Sequence, residues 1–136
     1  MKAIVDANIL FSSIIKNKDS RKVWFNPDLE LSAPEFILAE MVKYRALLEK
    51  KSGKNSADFE RLLAIILGNV EIIPDYELKP YLPAAESLVN DPKDFLYLAC
   101  AIKENALLWS NDKELKKQGR VKVLNTQEMI KEFGSL

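Results

Sequence analysis

The sequence predicts an α/β fold: a three-layer α/β/α sandwich around a mostly parallel five-stranded sheet. Short β-branched apolar runs alternate with helix-like segments along the whole chain, which is the pattern of parallel strands joined by crossover helices. Helices that return the chain to a parallel neighbour cover both faces of such a sheet. A length of 136 residues suits one compact core and is too short for two of ordinary size, so a single domain over 1–136 is expected.

The elements follow in order. Residues 2–5 (KAIV) form a first strand, followed by Asp6-Ala7-Asn8 and a helix over 9–16 (ILFSSIIK). Asp19-Ser20 caps a short helix through 21–25, and 29–33 (LELSA) is the second strand. Proline's fixed φ suits the first helical turn, so Pro34 starts a long helix to about residue 51, ended by Gly53. Another helix runs over roughly 56–67 and stops at Gly68, ahead of a third strand at 70–73 (VEII) closed by Pro74. A short helix at 83–89 precedes Asp91-Pro92, which opens a strongly apolar helix to residue 104. Residues 106–110 (ALLWS) make the fourth strand, 112–118 a short helix, 121–124 (VKVL) the fifth strand and 126–133 the closing helix. In sheets of this kind ligands bind beyond the carboxyl ends of the strands, where strand order reverses.

Composition narrows the chemistry. With 48% hydrophobic and 29% charged residues the chain folds rather than staying disordered. Its apolar runs, such as 95–102, are far too short to span a bilayer, and residues 1–5 enter a strand pattern without a signal-peptide layout, so a cytoplasmic location is expected. The single cysteine, Cys100 in YLACAI, permits no internal disulfide and reads as a core thiol. Twenty basic against twenty acidic side chains removes the simplest electrostatic case for nucleic-acid binding and leaves their distribution to decide. Cations gather at Lys43, Arg45, Lys50, Lys51 and Lys54, and again at Lys113, Lys116, Lys117, Arg120 and Lys122. They read either as solvated faces or as a nucleic-acid track.

Four acids stand in unusual places: Asp6 in KAIVDAN, Glu40 in FILAEMV, Asp94 in DPKDFLYLA and Asp112 in LLWSNDKEL. Asp6 and Asp112 end strands one and four, although either position also suits a cap or turn. At about 100° per residue, the helix after Pro34 puts Ile37, Met41, Tyr44, Leu47 and Leu48 on one face, with Glu40 between Tyr44 and Leu47. Glu40 thus interrupts a core-facing stripe, unless it sits at the edge and pairs with a lysine. With Pro92 at a first helical position, Asp91 is an N-cap, which leaves Asp94 without a capping duty. Carboxylates brought together repel unless protons or metal ions intervene. A chain without histidine offers oxygen ligands, which suit Mg²⁺ or Mn²⁺ better than zinc.

These motifs, IVDAN, PEFILAEMV, DPKDFLYLACA and LLWSNDKEL, resemble in order and spacing those of the PIN-domain family, nuclease-like domains that include VapC-type toxins of toxin-antitoxin pairs. The resemblance covers essentially the whole chain and implies strand order 3-2-1-4-5. It implies that Asp6, Glu40, Asp94 and Asp112 are catalytic metal ligands, with Asn8 and Ser110 supporting them and Asp91 as a further candidate. Glu114 adds a carboxylate near Asp112. The activity implied is a Mg²⁺- or Mn²⁺-dependent endoribonuclease, a hydrolase cutting RNA phosphodiester bonds to leave 5'-phosphates, with an antitoxin partner and a homodimeric assembly. The alternative is a catalytically inactive PIN-like module that binds RNA or protein. An aspartate-nucleophile phosphatase needs a second Asp where Asn8 stands, and a phosphorelay receiver needs an acidic pair by its first strand.

Overall fold

The computed structural model describes residues 1–15 and 18–133. Five strands, β1 (Lys2–Val5), β2 (Glu30–Pro34), β3 (Val70–Ile73), β4 (Leu107–Trp109) and β5 (Val123–Leu124), form one parallel sheet. Their order is β3-β2-β1-β4-β5, as expected. Between and after them lie α1 (Ala7–Ile14), α2 (Lys18–Trp24), α3 (Phe36–Ser52), α4 (Ser56–Gly68), α5 (Leu82–Glu86), α6 (Phe95–Glu104) and α7 (Thr126–Phe133). Order runs outward from β1 to β3, then reverses to β4, so right-handed crossovers carry the intervening helices to opposite faces. Accordingly α1 packs on α2, α3 and α4, and α2 on α7, while α6 packs against β1, β2 and β4 and also meets α5.

The central strand is buried on both faces: Ala3, Ile4 and Val5 have no exposed surface, which explains its continuous apolar run. Two buried indoles brace the sheet. Trp24 and Trp109 lie 6.1 Å apart between ring centroids. Trp24 Nε1 donates to the Ile66 carbonyl at 3.0 Å and Trp109 Nε1 to Thr126 Oγ1 at 3.1 Å, so neither buries an unpaired N–H. Trp109 thereby fixes the end of β4, one residue before Ser110. Cys100 is a buried free thiol. Among the described residues no helix is long and apolar enough to cross a membrane.

Several boundaries differ from the sequence reading. Pro34 closes β2 instead of opening a helix. β1 pairs with β2 only through Ser32, so the missing N–H of Pro34 interrupts no ladder on that side. The helix begins at Phe36, whose N–H donates to Asp75 Oδ1 at 3.2 Å, while Asp75 N–H donates to Glu35 Oε1 at 3.2 Å. That reciprocal bridge nucleates a 3-10 helix over Asp75–Tyr81 that the sequence pattern did not reveal. Asp91-Pro92 opens a 3-10 turn, Pro92–Asp94, which runs into α6. The short helix expected at 112–118 contracts to a 3-10 turn over Leu115–Lys117, and the strand at 121–124 to its last two residues. The first helix starts earlier, at Ala7, and its expected last residue, Lys16, lies outside the described residues.

Candidate active site

Reversal of strand order between β1 and β4 leaves a crevice at the carboxyl ends of these two strands, and the segments that follow them are polar. Asp6 is 8% exposed and N-caps α1 in an extended conformation. Its Oδ1 accepts from Asn8 N–H at 2.7 Å and its Oδ2 from Ser110 Oγ at 2.5 Å. Cap and site acid are alternatives in the sequence; the carboxylate does cap α1, and the residue also lines the crevice. Ser110 is fully buried, and its Oγ also accepts from Asp112 N–H at 3.1 Å. One hydroxyl therefore ties the end of β1 to the turn after β4. Asn111 Oδ1 holds the first N–H of α7 at 2.8 Å, which anchors the same turn from the other side.

Asp91 Oδ1 accepts from Lys93 N–H at 3.0 Å and caps the 3-10 turn, whereas Asp94 makes no side-chain cap bond at the start of α6. Asp94 is thus left to face the crevice. Glu40 is half-buried on α3, and its Oε1 accepts from the Tyr97 hydroxyl at 2.7 Å. The pairing crosses from α3 to α6 and replaces the surface lysine that the sequence left open as a partner. Leu47, placed by the helical wheel on the core face, is instead 48% exposed.

All four acids line one cavity of about 130 Å³, together with Asn8, Asp91, Lys93 and Tyr97. Glu114 does not line it; its carboxylate pairs with Lys117 at 2.8 Å, and its N–H donates to Asp112 Oδ1 at 2.9 Å. Tyr97 and Lys93 had not been singled out in the sequence. The signal for Tyr97 was a hydroxyl within the apolar run FLYLACAI, three residues beyond Asp94, where it must find a partner.

The electrostatics bear the marks of crowding. Burial raises the pKa of Asp6 against the lowering effect of its bonds from Ser110 and Asn8, and the charges of Asp112 and Glu40 raise it further. Burial pushes Asp94 up to about 6, helped by the negative charges of Asp112, Asp91, Asp6 and Glu40. Burial also raises Tyr97 above the usual phenol range, with its bond to Glu40 adding to the effect, so it stays a donor. Among the described residues, no three His, Cys, Asp or Glu side chains form a ready-made cation cage. An all-oxygen donor set spread around a small cavity nevertheless fits a hard divalent cation, because Mg²⁺ keeps several of its waters and takes only one or two carboxylates directly.

With this geometry in view, comparison with known proteins identifies the class. The family model of the PIN domain matches residues 4–134, and the chain belongs to that family. Among solved structures it is similar to VapBC2 from Rickettsia felis bound to a DNA fragment from their promoter, with 21% identity over 92% of this chain and 98% of that one and a TM-score of 0.73. It is also similar to PAE2754 from Pyrobaculum aerophilum, with 18% identity over 100% of this chain and 91% of that one and a TM-score of 0.71. A toxin-antitoxin complex from Klebsiella pneumoniae matches with 15% identity over 91% of this chain and 97% of that one, at a TM-score of 0.68. At these identities the likeness is one of fold. No curated protein matches the chain by sequence.

Proposed function

We propose that this PIN domain is a divalent-metal-dependent endoribonuclease and the toxin of a toxin-antitoxin pair. The observation that carries the reading is the meeting of Asp6, Glu40, Asp94 and Asp112, from four separate segments, around one cavity where strand order reverses. Family membership supports nuclease chemistry, since PIN domains are generally nucleases and generally use divalent metals.

The four acids would hold one or two Mg²⁺ or Mn²⁺ ions. A bound ion lowers the pKa of water toward neutrality and offsets phosphate charge during in-line attack. The protein's part is positional. Ser110 and the Asn8 N–H hold both oxygens of Asp6, and Tyr97 holds one oxygen of Glu40, which would orient two of the carboxylates that line the cavity. Asp91 is satisfied as a cap and supports the turn that presents Asp94. In the absence of metal the crowded carboxylates repel RNA. Hydrolysis in this scheme leaves 5'-phosphates. An antitoxin that occludes the cavity completes the proposal, supported by the toxin-antitoxin complexes of like fold, and a homodimer is proposed on the same resemblance.

The test is incubation of the protein with single-stranded RNA and Mn²⁺ or Mg²⁺. Cleavage is expected with either ion, loss of cleavage with excess chelator, and its return when metal is restored. RNA left intact under all conditions removes the nuclease reading in favour of the inactive binding module.

Tyr97→Phe isolates the role of the hydroxyl, because it keeps the ring and its edge contact with Phe36, whose centroid lies 6.3 Å away. Removing groups that orient metal ligands typically weakens metal affinity by 10–100-fold. Mn²⁺ affinity measured by calorimetry is expected to fall about tenfold, at the low end of that range, with the circular dichroism spectrum unchanged. Affinity equal to wild type would show that Glu40 needs no such support.

A further inference from the structure

At the opposite end of the sheet from the four acids lies a separate cavity of about 350 Å³. Met1, Leu107 and Val121 border it, which places it at the amino ends of β1, β4 and β5. No residue lines both this cavity and the acid cavity. Its charge is one-sided. Arg120 and Lys122 line it, and among the described residues no carboxylate does, in a chain whose formal charges cancel. Neither cation makes an ion pair among the described residues. Glu104, at the end of α6, pairs instead with Lys2 at 3.6 Å and Lys103 at 3.8 Å, and Glu128, whose carboxyl feels the charge of Lys122, pairs with Lys116. The backbone that carries the two cations is pinned. Gln118 Oε1 accepts from the N–H of Arg120 at 3.0 Å and of Val121 at 2.8 Å, and Gln118 Nε2 donates to the Val121 carbonyl at 2.7 Å. Leu108 N–H donates to the Lys122 carbonyl at 2.9 Å, which ties that residue to β4. Asn105, which ends α6 in the left-handed region at φ 49°, adds a neutral amide to the lining.

We propose that this cavity binds a small organic phosphate, a dianion carrying a compact apolar body, of the class of a nucleoside 5'-monophosphate. Charge selects the phosphate. Two cations without counterions match its two negative charges, and a guanidinium presents the fork of donors that phosphate oxygens accept in pairs. A single carboxylate would leave one of the cations unmatched. The rest of the lining selects the body. Ile102, Ala106, Leu107 and Val121 form an aliphatic wall, which a bare inorganic ion leaves against water and a flat ring covers. Size selects a single unit. A cavity of about 350 Å³ stands at the small end of the range for small-molecule sites, and apolar walls with a few polar groups are the usual make-up of such sites. The proposal stands apart from the ribonuclease reading, because it uses none of the residues on which that reading depends.

The experiment titrates the full chain, in buffer stripped of divalent ions, with adenosine 5'-monophosphate, inorganic phosphate, adenosine and a short RNA lacking a terminal phosphate. Calorimetry reads affinity, and amide NMR spectra report where each probe sits. The monophosphate is expected to bind more tightly than either phosphate or adenosine alone, and to move the amide signals of residues 105–107 and 120–122 while leaving those of Asp6 and Asp112 in place. Arg120→Ala/Lys122→Ala is expected to weaken its binding by at least about tenfold, the equivalent of one charge-assisted hydrogen bond. Both side chains are exposed, so the fold should survive their removal. The control, Lys51→Ala/Lys93→Ala, removes two cations from the groove beside the acid cavity and is expected to leave the affinity unchanged. Absence of binding at millimolar monophosphate overturns the proposal, as does equal affinity in Arg120→Ala/Lys122→Ala or an equal loss in the control. Inorganic phosphate bound as tightly as the monophosphate would leave the aliphatic wall without a role and overturn the assignment to an organic phosphate. RNA bound more tightly through the same two cations overturns it in favour of a nucleic-acid backbone.

Discussion

Asp6→Asn is expected to lose at least about a thousandfold in metal-dependent RNA cleavage while folding as well as wild type, a scale comparable to losing several kcal/mol of transition-state stabilisation. The reason lies in how Asp6 is held. Its two oxygens are already engaged by Asn8 N–H and Ser110, and an asparagine carbonyl can replace only one acceptor and carries no charge to attract a cation. As a helix cap, however, Asn is the equal of Asp. Burial and the neighbouring charges of Asp112 and Glu40 disfavour the ionised form of Asp6, so a neutral side chain relieves the metal-free protein of a cost. A urea titration in chelator should therefore show Asp6→Asn at least as stable as wild type, alongside its inactivity. Wild-type cleavage by this variant would remove Asp6, and with it the proposed centre. Marked destabilisation would show that its main duty is structural.

The second large effect is a stability that falls as pH rises. Asp94 in the folded protein titrates at about 6, against an ordinary 3.8. Below the lower value both states are protonated and nothing is lost. Between the two values the unfolded chain gives up this proton first, so the folded state binds more protons, and metal-free stability declines until the pH passes about 6. Asp6 shifts in the same direction. Two units correspond to a ceiling of about 3 kcal/mol, and partial solvent exposure of Asp94 lowers the expectation to about 1–2 kcal/mol. Urea denaturation in chelator at pH 4.5 and pH 7 measures the decline. Asp94→Asn should flatten it, and saturating Mn²⁺ should reverse it at pH 7, because a ligand of the ionised acids stabilises the folded state in proportion to its binding. A metal-free profile that stays level from pH 4.5 to 7 would contradict the crowding described around Asp94.

Much of the architecture could be read before any coordinates, because a parallel sheet leaves a periodic record in the chain. Buried strands are short apolar runs, and each needs a crossover helix before its parallel neighbour. The positions of Asp6 and Asp112 at strand ends followed from that alone. What escaped the sequence was set by contacts between distant residues. Pro34 suits a helix start as well as a strand end, and the ladder to β3 decided in favour of the strand. The 3-10 helix at Asp75–Tyr81 depends on a bridge to Glu35, forty residues earlier. Strand β5 is an edge whose register with β4 covers only Val123 and Leu124; Lys122 lends its carbonyl to Leu108 N–H at 2.9 Å, and the first residue of VKVL lies outside the strand. Glu40 could be recognised as misplaced in an apolar stripe, yet its partner Tyr97 lies 57 residues away, beyond the reach of any local pattern.

The position of β1 in the middle of the sheet has a temporal consequence. One of its edges is paired by nearby β2 (Glu30–Pro34), but the other waits for Leu107–Trp109, more than a hundred residues along the chain from β1. Until then a strand that is apolar from Ala3 to Val5 carries a row of open backbone donors and acceptors, the state most prone to pair with a stranger. The same delay keeps Asp6 apart from Ser110 and Asp112. A growing chain therefore lacks the assembled acidic cavity as well as the protection of a paired edge, and both conditions end with one event, the docking of β4 beside β1.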